Sequence, residues 1–479
     1  MSQIQFLILV TAAIPLLNLL ALQFGWNLGK IFSVLFLANL IGLYSTLETE
    51  SVYVSLVRIS PELSLGFFVD KIVLGFLFLL SFLWLIFVFY SRRFLDLFEL
   101  KNSYQFQSFF ISIIASINFI ILSKNLLTLL LFYNLLILLS YFFAVKFLHK
   151  AETIFSRLFM FLLYLESVFF FLAIVATYKF SSSIEFSNTQ IIADNFDPTK
   201  YRLLFLLFVA GLFASVLAPF YLLYRSQINL EPLILYVFFF LGYAISSLLI
   251  FIRIIASIFG TKTFSLILGQ VGFGFFEIVF LLNILLASGL LLMSKGIKSS
   301  FFYLFFQQLT FVLFSIFFFE NFSPSRVYIA LCSFLLEFTL LFLAISNLIL
   351  YLTQAQNKNL DGLFYKLIVT CSLLLFALGS MAGIAPSIGL VEKFFLFKTA
   401  ISEKQYLSLS ILITNSLSLL LFGFKIFRPL FWRQVDGQNE ADNELAKNID
   451  FDSSLILTGL TVAVLMFLGL VLFPFLTNF

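Results

Sequence analysis

Charge is scarce in this chain. Only 11% of its 479 residues are Asp, Glu, Lys or Arg, and the mean hydropathy is +1.10, whereas a water-soluble domain is about a quarter charged. A globule solvated on all sides is excluded. Histidine occurs once and cysteine twice, too few for a His/Cys metal cage or a disulfide framework, and Cys332 and Cys371 sit in apolar runs as small fillers. There is no Gly-rich phosphate loop, no metal-ligand spacing and no nucleophilic triad. No flavin, nicotinamide, iron–sulfur or metal cofactor is therefore expected in this chain, nor a redox or hydrolytic site of its own. Polar stretches are also short, the longest being 47–69, 179–201 and the acidic 434–450, which carries Asp436, Glu440, Asp442, Glu444 and Asp450. Each is loop-sized, so no soluble domain is expected. No basic leader or small-residue cleavage site marks the N-terminal run, which reads as a retained helix.

What the chain has instead is apolar runs of about 20 residues, each long enough to cross a hydrocarbon layer. They number about fourteen, and the expected fold is an all-α polytopic membrane protein. The seventh run, 202–224, is interrupted by Pro219. The twelfth, 363–400, is too long for one straight span and contains Gly383 and Pro386, so it reads as two half-helices. Each break frees backbone polar groups that must face protein or water rather than lipid. Broken helices in both halves of a transporter commonly flank its transport route.

The distribution of Lys and Arg gives an orientation. Loops after odd-numbered spans hold sixteen of them and loops after even-numbered spans nine, which places the odd loops in the cytoplasm and both termini outside. The net charge of +4 is this bias, and it calls for no nucleic-acid partner. His149, between Lys146 and Lys150 at a helix end, reads as interfacial.

Ionisable residues inside the spans are the candidate functional groups, because burying them is costly. Lys393 follows the twelfth-span break, with Glu392 beside it and Lys398 a turn and a half beyond. Glu277 and Glu337 fall toward the middle of their spans, whereas Glu166 and Arg253 are read as nearer span ends, where pairing or snorkelling accounts for them. For Lys393 two readings stand: a carrier of protons, or a cap on freed carbonyls that pairs with Glu392 or a neighbouring acid.

Three segments carry a family resemblance. Asn125-Leu-Leu-Thr128 through Phe132-Tyr133-Asn134-Leu-Leu and Ser140-Tyr141 is similar to N-L-x-T-x-x-x-F-Y-E-L-L-x-L-x-S-Y. Ile297-Lys298, Tyr303 and Gln308-Leu-Thr-Phe311 resemble L-K-x-x-x-A-Y-S-T-x-S-Q-L-S-Y. Leu360-Asp-Gly362-Leu and Gly383-x-x-Pro386-x-x-Gly389-x-x-x-Lys393 resemble an L-x-G-L opening followed by G-x-P-P-x-x-G-F-x-x-K. The family is that of the antiporter-like membrane subunits of respiratory complex I and of Mrp-type Na+/H+ antiporters, with the Mrp D-type subunit nearest.

The resemblance implies fourteen helices with two inverted five-helix repeats and broken helices 7 and 12. It divides the chain into three N-terminal helices (1–104), a first repeat (105–256), a second repeat (257–430), and an acidic cytoplasmic loop with the last helix (431–479). It implies a line of charges along the membrane midplane that passes protons, and partners that are other membrane subunits of an antiporter or quinone-oxidoreductase complex, with lipid around them. The transported ion would be H+, with Na+ as a second candidate, and the location a bacterial inner membrane.

This chain departs from that pattern. The helix-5 Glu falls on Asn134, the helix-7 Lys on Ala214 or Ser215, and a following His on Tyr221. The helix-8 His and Lys fall on Phe239 and Ile245, and those of helix 11 on Phe334 and Phe338. Lys393 alone keeps a family axis charge. On this reading the first half no longer conducts as the family builds it. Two functions follow: an ion-translocating subunit, or a non-conducting scaffold paralogue. A third, an unrelated solute carrier on the same fold, is allowed because fold does not fix function.

Overall fold

The computed structural model describes residues 3–26, 28–47, 51–58, 64–97, 103–147, 153–181, 183–186, 198–213, 217, 233–260, 264, 266–267, 273–318, 324–354, 361–431 and 446–476. Among these residues nine helices are long and apolar enough to cross a membrane. Shorter apolar helices accompany them at Leu126–Phe142, Ala244–Phe259, Ile368–Ala382 and Leu455–Phe467. The molecule is an integral membrane protein, and it divides into two compact units, Met1–Gly272 and Phe273–Phe479.

In the first unit the elements are α1 (Gln3–Gln23), α2 (Gly29–Thr46), β1 (Val52–Arg58), β2 (Ser64–Val69), α3 (Lys71–Leu97), α4 (Ser103–Leu122), α5 (Leu126–Phe147), α6 (Thr153–Ser181), α7 (Pro198–Phe213) and α8 (Leu233–Ile254). A π-helical turn, Ile255–Phe259, extends α8. Pro198 opens α7, where the N–H it lacks would have had no partner in the helix.

The stretch 47–69, expected to be a loop, contains an antiparallel hairpin of β1 and β2. Its first strand reads Val-Tyr-Val-Ser-Leu-Val-Arg, rich in β-branched and aromatic residues that suit a pleated surface. Its second strand buries Phe67, Phe68 and Val69. The hairpin is pinned to the α4–α5 turn: Lys124 N–H donates to the Gly66 carbonyl at 2.8 Å and Asn125 Nδ2 to the Ser64 carbonyl at 2.5 Å. Gly66 permits the close pairing of β2 with β1, since a Cβ there would stand 2.5 Å from the Val54 carbonyl oxygen. Lys124 also bonds the Glu185 carboxylate at 2.8 Å. The hairpin therefore closes one end of the first unit.

In the second unit the elements are α9 (Phe273–Met293), α10 (Ile297–Phe318), α11 (Pro324–Gln354), a single helical turn at Leu363–Lys366, α12 (Ile368–Ala382), α13 (Ile388–Ser402), α14 (Tyr406–Phe431) and α15 (Ser453–Leu476). Helix α10 is central, every side chain from Ser300 to Phe318 being buried. Its polar residues bond across to neighbours, as they must where lipid offers no partner. Gln307 Nε2 donates to Asn415 Oδ1 (2.9 Å) and Ser418 Oγ (2.6 Å), and Asn283 Nδ2 of α9 donates to Thr310 Oγ1 (2.7 Å).

Asp450 is not the solvated loop acid that its sequence surroundings suggest. It is fully buried, and its carboxylate accepts from the N–H groups of Val369 (2.9 Å) and Thr370 (2.8 Å) and from Thr370 Oγ1 (2.7 Å). An anion over the first-turn N–H groups satisfies orphan donors and complements the helix dipole. The chain leading into α15 thereby fixes the start of α12. The other acids of that stretch, Asp436, Glu440, Asp442 and Glu444, lie outside the described residues.

Candidate functional site

The long twelfth run is two half-helices, α12 and α13, as expected from Gly383 and Pro386. The break closes its own backbone. Gly383 is left-handed (φ +88°), its N–H donates to the Ser380 carbonyl at 2.8 Å, and the Ile384 N–H reaches back to Gly379 at 2.8 Å. This pair of bonds is a Schellman closure, which satisfies the last carbonyls of α12. The Ala385–Pro386 peptide is cis, and α13 begins after Ser387 in an extended conformation.

Because α12 is capped locally, no lysine is needed to cap it. Lys393 points elsewhere: it is 4% exposed, and Nζ is buried without a hydrogen-bond partner. The ammonium stands 5.4 Å from the centre of the Phe311 ring, within reach of a cation–π attraction. Glu337 and Glu392 lie close enough to act on it electrostatically. Gly383 also makes room for the lysine, since a Cβ there would meet Lys393 Cδ at 2.9 Å.

The two carboxylates are held by serines. Glu392 accepts from Ser315 Oγ at 3.0 Å and from Ser333 Oγ at 2.5 Å, and Glu337 accepts from Ser380 Oγ at 2.6 Å. Glu392 thus turns toward hydroxyls on α10 and α11 rather than forming a hydrogen-bonded pair with Lys393, as adjacent residues on a helix do not face each other. Gly389 lets Glu337 reach α13, because a Cβ at that position would strike the Ser380 carbonyl and the Glu337 carboxylate. Four helices, α10 to α13, therefore converge on one lysine and two acids, all three buried. Three titratable groups that differ in charge, set close together away from water, can exchange a proton among themselves, each charge biasing its neighbours.

The remaining candidates are scattered. Lys398 is exposed and stands apart from the cluster. Glu277 lies in the second turn of α9 rather than mid-helix, buried against the hydroxyl of Ser408 on α14. Phe334 and Phe338 are buried in an aromatic cluster with Phe305, tilted and edge-to-face, with centroids 4.9 Å apart within α11 and 5.3 Å from Phe305 to Phe338. These three rings carry no proton-carrying group.

In the first unit Asn134 accepts from Ser167 Oγ at 2.6 Å, and Ile245 is buried. Glu166 is not near a helix end: it lies in the middle of α6 and is fully buried. Arg253 does close α8, where Nη1 donates to the Ile121 carbonyl at 2.6 Å and the guanidinium lies 4.2 Å from the Phe186 ring centre. Ala214, Ser215, Pro219, Tyr221 and His149 lie outside the described residues. Cys371 is buried and Cys332 half-buried, and both are free. Among the described residues no group of three or more His, Cys, Asp or Glu side chains could hold a metal ion.

The serines were not legible in the sequence. Ser315, Ser333 and Ser380 sit on three different helices at no diagnostic spacing. The available signal was a hydroxyl in an apolar helix that has to find a partner.

No family model matches the chain, and no curated protein matches it. Solved structures do. A chain of the Mrp complex from Dietzia sp. DQ12-45-1b superposes with a TM-score of 0.73 at 16% identity, covering 99% of this chain and 96% of that one. A chain of the membrane-bound sulfane sulfur reductase (MBS), an archaeal respiratory membrane complex, gives 0.76 at 14% identity, covering 99% and 95%. One from respiratory complex I of Thermus thermophilus with bound aureothin gives 0.68 at 18%, covering 97% and 98%. With two half-helices meeting at Gly383–Pro386 and coverage nearly end to end, this chain has the polytopic helical fold of those membrane-complex chains.

Proposed function

We propose that this protein is a proton- or cation-translocating subunit of a membrane assembly of the Mrp-type antiporter or complex I-like kind, with the Mrp D-type subunit as the nearest template. The observation that carries this reading is Lys393 Nζ, buried and without a hydrogen-bond partner between the serine-held Glu337 and Glu392 at a helix break. A lysine kept only for structure would spend its donors on carbonyls or a close ion pair. This one spends none of them on a carbonyl or a close ion pair, and the two acids near it bias its charge. The proposed path runs through Lys393, Glu337 and Glu392. Glu277 is an outlying acid toward one end of α9, and Lys398 a basic residue on the outside of α13. The two five-helix repeats, the domain divisions and the location in a bacterial inner membrane belong to the same proposal.

The test is purification in mild detergent and reconstitution. Expected are stable co-purifying membrane subunits, identified by mass spectrometry, and proton or Na+ flux in vesicles that hold the assembly. A monomer that transports alone would favour the unrelated-carrier reading. A stable assembly without flux would favour the second reading, a scaffold paralogue, which the apolar residues at Ile245, Phe334 and Phe338 support.

The charge count of the loops supports an orientation with both termini outside. A reporter fused after Phe479 is then expected to read as external, and one inserted at 434–445 as cytoplasmic. The reverse pair of results would overturn the orientation.

A further inference from the structure

The first unit holds a buried acid that its sequence pattern does not call for. Glu166 is wholly inaccessible in the middle of α6. A carboxyl group at that depth is costly whether it is ionised or poorly bonded, and glutamine of the same shape would serve as well for hydrogen bonding alone. Its surroundings are polar on one side. Tyr133 of α5, 0% exposed, lies within electrostatic reach of Glu166 and shares a hydrogen bond with Ser247 of α8. One residue along each helix, Ser167 of α6 donates to Asn134 of α5 at 2.6 Å. The faces of α5 and α6 that meet here therefore carry a titratable group, a phenol and two neutral hydrogen-bonding side chains within an apolar bundle.

A second polar group lies toward the hairpin. Ser247 and Arg253 are both buried on α8, separated by roughly 9 Å of helix at 1.5 Å per residue. The Arg253 guanidinium lies 5.5 Å from the ring centre of the hairpin's Phe68, and Asp70, at the end of β2, acts on it electrostatically. From the hairpin end inward there are thus two polar groups, Asp70 with Arg253, and Ser247 with Tyr133 and Glu166, separated by the apolar stretch 248–252 of α8.

We propose that Glu166 forms a second proton-carrying site of this protein, located in the first unit, with Tyr133 and Ser247 as its hydroxyl relay toward the β-hairpin end. The proton is taken up on a Glu166 carboxylate oxygen and returned through the Tyr133 hydroxyl, with no bond other than O–H made or broken. This assignment rests on the translocation reading above. It leaves in place the expectation that the first half does not conduct as the family builds it, and adds a carboxylate that α6 supplies to the interface of Asn134.

The test treats the purified assembly with dicyclohexylcarbodiimide, which reacts with protonated carboxyl groups in apolar surroundings, and maps the modified peptide by mass spectrometry. Expected are a modified Glu166 peptide, lost in Glu166→Gln, and a flux lowered by about 100-fold in that variant with its thermal midpoint kept, the low end of what a positioned proton-transfer group contributes. Tyr133→Phe is expected to lower flux while leaving the label on Glu166. Should Glu166→Gln fail to assemble, Glu166→Asp keeps a titratable group and is expected to retain both the label and measurable flux. Modification of Glu337 or Glu392 without modification of Glu166 would overturn this assignment and leave the Lys393 site standing, as would full flux in Glu166→Gln. Absence of flux in the wild-type assembly would overturn the translocation reading and this assignment with it.

Discussion

Lys393→Ala is expected to abolish ion flux through the reconstituted assembly while leaving its subunit composition unchanged. The alanine removes the one cation that, among the described residues, is set against Glu337 and Glu392, and with it the group that the two carboxylates bias. Lys393→Arg is expected to fail as well, since a guanidinium stays charged across the working range and cannot release its proton. Glu337→Gln should impair flux and still assemble, because the amide can take the Ser380 hydroxyl bond that the carboxylate accepts now. Asn134→Asp should not restore a family-type path through helix 5, as its present partner is the neutral Ser167. Vesicle flux assays on these four variants decide the matter: flux at wild-type level in Lys393→Ala would mean that the path does not use this residue.

Gly389→Ala is expected to be the most destabilising single-methyl change in the second unit. The added Cβ would collide with the Ser380 carbonyl oxygen and the Glu337 carboxylate, and would come within 2.9 Å of the Ser380 carbonyl carbon. Two of these three contacts are backbone, so relief requires α12 and α13 to move apart. Overpacking of this kind costs about 3 kcal/mol at the upper end of its usual range. The lowered thermal midpoint in detergent should be accompanied by lost flux, because Glu337 is displaced. Gly42→Ala is the control: nothing lies within 4 Å of a Cβ there, and the midpoint should hold or rise slightly. Equal midpoints for the two variants would show that α12 and α13 do not meet as described.

Much of the fold was legible because lipid leaves few choices. Apolar runs of spanning length must be helices, and Gly383 and Pro386 inside one of them must break it. The hairpin was missed because it is short and its strands read as part of a polar stretch; what makes it a structure is the docking of Gly66 and Ser64 onto the α4–α5 turn. Asp450 was misplaced for the same reason, its role depending on the first turn of α12, some 80 residues away in the chain.

For the site, the sequence by itself determined which ionisable residues lie in apolar surroundings, and that Lys393 follows a helix break. These are properties of local composition and backbone chemistry. Only the tertiary structure decided which of those charges meet. It turned Glu392 to serines on two other helices, brought Glu337 of α11 to the break through the gap at Gly389, left Lys398 outside, and set Glu166 deep in α6 beside Tyr133. A carboxylate's partners are chosen by the register in which helices pack, and that register depends on where small residues allow backbones to approach. Such distances between segments are not written in the spacing of residues along any one of them.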